Sequence, residues 1–166
     1  LRNARDGLKD ILLADAPGEW FSRWAIRPDD DQAAGARWAV AHADAFLFFV
    51  DSLGLVGPDR RAVAENTELL AQRLATTLHG RPVAIVWAKS DQEVAPALRE
   101  DVEAALARAF PGAPTFSTSV HETPSGEPTR PFWGPLEWHL LREPVAAPLA
   151  LSPTVDPADA FLSFRG

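Results

Sequence analysis

An α/β sandwich of three layers, built on a mostly parallel central sheet, is the fold the sequence predicts, and three observations predict it. Short apolar runs of strand length recur along the chain, segments of helical period lie between them, and turn or cap residues separate the two kinds. Apolar runs without polar alternation belong to strands buried on both faces, as in a parallel sheet covered by helices on either side. Strands alternating with helices of this length make βαβ units.

The elements follow in order. A first strand is read at Ile11-Leu12-Leu13-Ala14, a second at Ala45-Phe46-Leu47-Phe48-Phe49-Val50 and a third at Val83-Ala84-Ile85-Val86-Trp87. Thr115-Phe116-Ser117-Thr118 makes a fourth, weaker run. A helix is expected after Asp29-Asp30-Asp31, whose carboxylates suit a helix N-terminus. Val63, Leu70, Leu74 and Leu78 recur at helical spacing, and Gly80 then Pro82 supply the stop. Val94, Leu98, Val102, Leu106 and Phe110 repeat every four residues and are closed by Pro111-Gly112. A last helix is expected to start near Pro135, a good first-turn residue, and to carry Leu136, Trp138, Leu140 and Leu141. From Glu143 the chain is Pro-rich and without clear period, so residues 1–142 are read as one domain and 143–166 as a tail. Phe161, Leu162 and Phe164 could dock that tail on the domain or lead to a further segment.

Composition narrows the function. A chain of 166 residues suits one domain with a sizeable core. No apolar run reaches the length of a bilayer span, so no membrane partner is expected. A formal charge of −7 argues against a nucleic-acid backbone as partner. There is no cysteine, which excludes disulfides and thiolate metal sites and fits a reducing cytoplasm, the expected location. No signal peptide is visible, and the first residue is Leu1 rather than Met, which points to a piece of a longer chain. Of the 16 basic residues only Lys9 and Lys89 are lysines. Any lysine in so Arg-dominated a chain calls for a reason.

In open parallel sheets, ligands bind beyond the carboxyl ends of the strands. The residues that follow the strands are Asp15-Ala16-Pro17-Gly18-Glu19, Asp51-Ser52, Ala88-Lys89-Ser90-Asp91 and Thr118-Ser119-Val120. Taken singly, such segments are ordinary turns, and Asp15, Asp51 and Asp91 could equally cap helices.

Taken in order, they carry a resemblance. Asp15-x-x-Gly18 is similar to the DxxG switch motif of Ras-like P-loop GTPases, Ala88-Lys89-Ser90-Asp91 to their NKxD guanine motif, and Thr118-Ser119-Val120 to the TSA-type loop that closes over the base. The Asp-x-Pro-Gly-Glu form and Pro135, Leu136 and Trp138 look most like bacterial TRAFAC double-GTPase domains. The resemblance implies GTP or GDP with Mg²⁺, the metal held through water by Asp15, and a Gly18 backbone N–H that meets the γ-phosphate. Glycine there lets the backbone approach the phosphate and change conformation. Asp91 would accept two hydrogen bonds from guanine, which adenine cannot supply. Lys89 would lay its stem along the base, a task that arginine does not share. Ser119 and Val120 would close the base pocket. Glu19 stands where many members carry a water-orienting glutamine, and a carboxylate there faces the γ-phosphate's negative charge.

Two departures bear on the activity. Ala88 replaces the usual Asn or Thr, which removes a hydrogen bond worth about 1 kcal/mol. No GxxxxGK[ST] phosphate loop occurs in the chain. In Ras-like sheets the strand leading into that loop lies between the strands that here end at Ala14 and Val50. An upstream segment, or another chain, is therefore expected to supply it. With that segment the expectation is a GTP-hydrolysing molecular switch whose segment 15–32 orders with GTP. Without it no hydrolysis is expected, and the alternative is a pseudo-GTPase scaffold. Trp20, Trp24 and Trp38 would then form the face for a protein partner. The four histidines have no metal-ligand spacing, and Ser90 and Ser119 have no His–Asp partners.

Overall fold

The computed structural model describes residues 2–3, 7–8, 17–119 and 133–140. In chain order its elements are β1 (Arg2–Asn3), β2 (Gly7–Leu8), α1 (Gly18–Ile26), a 3-10 turn (Asp31–Ala33), α2 (Ala34–His42), β3 (Phe46–Asp51), α3 (Ser52–Val56), α4 (Arg60–Ala75), β4 (Val83–Ala88), α5 (Pro96–Ala109), β5 (Thr115–Thr118) and α6 (Trp133–Leu140). β3, β4 and β5 form a 3-stranded parallel sheet in that order, so the α/β class holds. β1 and β2 make a small antiparallel pair that no sequence signal announced. The strand expected at 11–14 and the tail from 143 lie outside the described residues.

Each strand owes its place to its side chains. β4 is central, and every residue from Val83 to Trp87 is buried, as an unbroken apolar run requires. On one face Phe48, Val50, Ile85 and Trp87 meet Val40, Leu55, Leu74, Val102, Leu106 and Phe110 from the helices. The rings of Phe48 and Phe110 lie 5.3 Å apart in a tilted pair. On the other face Val86 and Phe116 stand side by side in register, and α6 packs over Phe116. Gly134 permits this contact, since a Cβ there would come within 3.1 Å of the Phe116 ring. Helices therefore cover both faces, which gives the three layers. Phe49, read as buried on both faces with its strand, is instead half exposed on the α6 side.

α1 was not foreseen as a helix. It buries Trp24 and Ala25 against the core and rests Trp20 on the bare backbone of Gly35, where a Cβ would come within 2.2 Å of the indole. This corrects the expected partner face. Trp20 (40% exposed) and Trp38 (56%) are at the surface, but Trp24 (4%) is core. The acidic run does open the next helical segment, with Asp30 accepting a hydrogen bond from the Gln32 N–H at 2.8 Å.

The amino edge of the sheet is fastened by Arg81. Its guanidinium donates to the carbonyls of Val40 (2.5 Å) and Ala43 (2.8 Å) at the end of α2. It also donates to Thr77 (2.6 Å) and Leu78 (2.9 Å) beyond α4, while its plane lies over the Phe46 ring at 5.0 Å. One side chain thus ties the carbonyls at the end of α2 to the turn that follows α4. Arg81→Ala should lower stability by about 2 kcal/mol, read as a fall in the urea midpoint at unchanged m-value. Arg81→Lys should recover less than half, and full recovery would show that charge alone is sufficient.

Candidate nucleotide-binding site

The site is assembled by the sheet register. Asp51 lies opposite Ala88 and Ala88 opposite Thr118, so the carboxyl ends of all three strands meet on one line. Beyond Ala88 the chain cannot continue as a strand. Lys89 has φ of 54°, in the left-handed region that side-chain-bearing residues adopt at a cost. The turn is held on both sides, because Gln92 N–H donates to the Lys89 carbonyl (3.0 Å) and Ser90 N–H to the Thr118 carbonyl (2.9 Å).

That bend brings two of the predicted residues, Asp91 and Ser119, together. The Ser119 hydroxyl donates to Asp91 Oδ1 at 2.7 Å, and the Gln92 side-chain amide donates to Asp91 Oδ2 at 2.7 Å. Asp91 is therefore oriented, yet its side chain stays exposed. It does not cap α5, which begins at Pro96. Lys89 reaches the other way, across to β3, where Nζ lies 3.0 Å from Asp51 Oδ1. Both partners are about half exposed (51% and 52%), so this pair adds at most about 1 kcal/mol to stability. Ala88 offers only a methyl group.

Gly18 and Glu19 are placed in the first turn of α1, both exposed. Among the described residues no hydrogen bond or ion pair joins them to the Lys89–Asp91 turn. Asp15 and Val120 lie outside the described residues. A cleft of about 450 Å³ lies elsewhere, between α4 and α5, and is lined by Arg60, Glu68, Leu98 and Asp101 rather than by the strand-end residues. Sequence reasoning read Asp51 as a loop-shaping or helix-capping residue, and it makes no cap hydrogen bond. The available signal was its place at a strand end beside the one that carries Lys89.

What this arrangement can do is present an oriented carboxylate and an ammonium at the edge of a parallel sheet. A planar ligand with adjacent N–H donors suits the carboxylate. The family model described as Double-GTPase 2 matches residues 1–132. The chain belongs to this family. The double-GTPase match takes in β1 to β5 and each strand-end residue named above, including Asp15 and Val120. Membership in this GTPase family implies guanine-nucleotide binding. No curated protein and no solved structure matches the chain. Among the described residues no helix is long and apolar enough to cross a membrane.

The left-handed backbone at Lys89 has a measurable consequence. A side chain in the left-handed region costs about 1–2 kcal/mol relative to glycine, partly offset by glycine's freedom in the unfolded chain. Lys89→Gly should therefore raise unfolding free energy by about 0.5 kcal/mol, seen as a higher urea midpoint. A fall of about 1 kcal/mol would mean that the ion pair outweighs the backbone strain.

Proposed function

We propose that this chain is the switch and guanine-reading part of a GTPase-type domain, a cytoplasmic molecular switch that hydrolyses GTP when an upstream phosphate-binding loop completes it. The observation that carries the reading is the hydrogen bond from Ser119 to Asp91 beyond the carboxyl ends of β4 and β5, in the turn that Lys89 opens. Asp91 takes the guanine N1 and N2 hydrogens, Ser119 holds that carboxylate in line, and Lys89 lies along the base. Adenine lacks this donor pair and would leave the carboxylate unmatched. Val120 completes the base loop. Gly18 serves the γ-phosphate, and Glu19 stands beside the attacking water.

Among the described residues no group of three His, Cys, Asp or Glu could hold a metal. Mg²⁺ would rest, as the resemblance implies, on Asp15 through water and on the nucleotide's own phosphates, which suits a cation that keeps most of its waters. It would supply charge neutralisation at the phosphates.

A second reading has its own support. Trp20 and Trp38 are large exposed aromatics on neighbouring elements, with Ile26 (62% exposed) at the end of α1. Such a surface suits a protein partner, and Ala88 weakens the base site, as in a pseudo-GTPase scaffold.

Calorimetric titration of GDP and ADP, with Mg²⁺, into the full natural protein separates the two. GDP should bind and ADP should not. Asp91→Ala should weaken GDP by on the order of 100-fold and erase the preference, since two charge-assisted hydrogen bonds go. If neither nucleotide binds at high micromolar concentration, the switch reading is lost and the scaffold stands.

A further inference from the structure

We infer that Asp51 is a positioning residue for nucleotide binding, which fixes the Lys89 ammonium at the carboxyl edge of the sheet from the neighbouring strand. This deepens the guanine-nucleotide reading and rests on it.

Four observations converge. Register sets Asp51 directly beside Ala88, so its carboxylate is one residue away from Lys89 across the strand gap, and Oδ1 meets Nζ at 3.0 Å. Asp51 is also the residue before α3, the usual place for a capping carboxylate, yet its side chain makes no cap hydrogen bond. The bond made is the one to Lys89. Next, Gly54 leaves room for the carboxylate: a Cβ there would sit 3.3 Å from Asp51 Oδ2 and 3.2 Å from Val63 Cγ1. The second oxygen thus occupies space that a larger residue at 54 would crowd, while the first faces the lysine. Lastly, Ala88 cannot tether the turn through its own side chain, and the carboxylate opposite it supplies a tether from β3.

The effect belongs to binding more than to stability. A lysine side chain has several torsions to immobilise when it packs along a base, and an ammonium already held at its far end loses fewer of them. The pair is half exposed, so its removal leaves the core untouched. A carboxylate near a nucleotide could instead act by repelling phosphate, and the two roles have opposite signs. Positioning predicts weaker binding when Asp51 is removed; repulsion predicts tighter binding.

The experiment is GDP titration of the full natural protein in five forms: wild type, Asp51→Ala, Asp51→Asn, Lys89→Ala and the Asp51→Ala/Lys89→Ala double variant. Asp51→Ala should weaken GDP about fivefold, the size of one exposed ion pair. Asp51→Asn, whose carbonyl still accepts from the ammonium, should fall between it and wild type. In the Lys89→Ala background, removal of Asp51 should change nothing further, which a general structural defect would not reproduce. The preference for GDP over ADP should be unchanged throughout, because it belongs to Asp91. Unchanged or tighter binding by Asp51→Ala, or an equal loss with and without Lys89, overturns the inference while the guanine reading survives. A wild type that binds no GDP overturns both.

Discussion

The parallel register of β3, β4 and β5 is the constraint from which the rest of this structure follows. It sets Asp51, Ala88 and Thr118 in one row at the sheet's edge. A slip of one residue would exchange Ile85 and Trp87 with Ala84 and Val86 between the two faces and unseat the packing against Leu74, Leu106 and Phe110. The register is therefore held by the core, through Phe48, Val50, Ile85 and Trp87 under the helical layer. Side chains that never approach a ligand thus fix where Lys89 and Asp91 stand.

Elements with long-range burial were legible in the sequence. The runs at 45–50 and 83–87 became β3 and β4, each shifted by no more than one residue at its ends, and Thr115–Thr118 became β5. Such runs announce themselves because consecutive apolar residues over a strand's length, bounded by turn residues, require burial on both faces. The helix read from Val63 to Leu78 runs from Arg60 to Ala75, since His79 and Gly80 take left-handed conformations only after the last turn has already loosened. α1 escaped because its segment resembled a switch loop. The spacing of Trp20, Phe21, Trp24 and Ala25 did hold a helical period. β1 and β2 are two residues each, too short to carry any period.

The site was legible in its chemistry and less so in its wiring. Residue types at strand ends named Lys89, Asp91 and Ser119 as candidates, and a hydrogen bond joins the last two. The partner of Lys89 lay on another strand, and no local pattern links Asp51 to it. Trp24 shows the complementary failure. Proximity in sequence grouped it with Trp20 and Trp38, but on the face that it shares with Trp20 it lies one turn further along α1 and reaches the core, while Trp20 rests on Gly35 at the surface. Trp87, wholly buried, meets the Arg99 guanidinium at 4.5 Å, so even the central strand is braced by a charged group from α5.

Arg81 also has a mechanical meaning. It clamps the end of α2 to the end of α4 at the amino edge of the sheet, while α1 starts from Gly18 with its first turn exposed. α1 is tied to α4 separately, by Asn66 donating to the Ser22 hydroxyl at 3.2 Å and by Trp24 in the core. The long helix α4 is thus the common post to which both neighbouring helices are moored, one near its middle and one beyond its end.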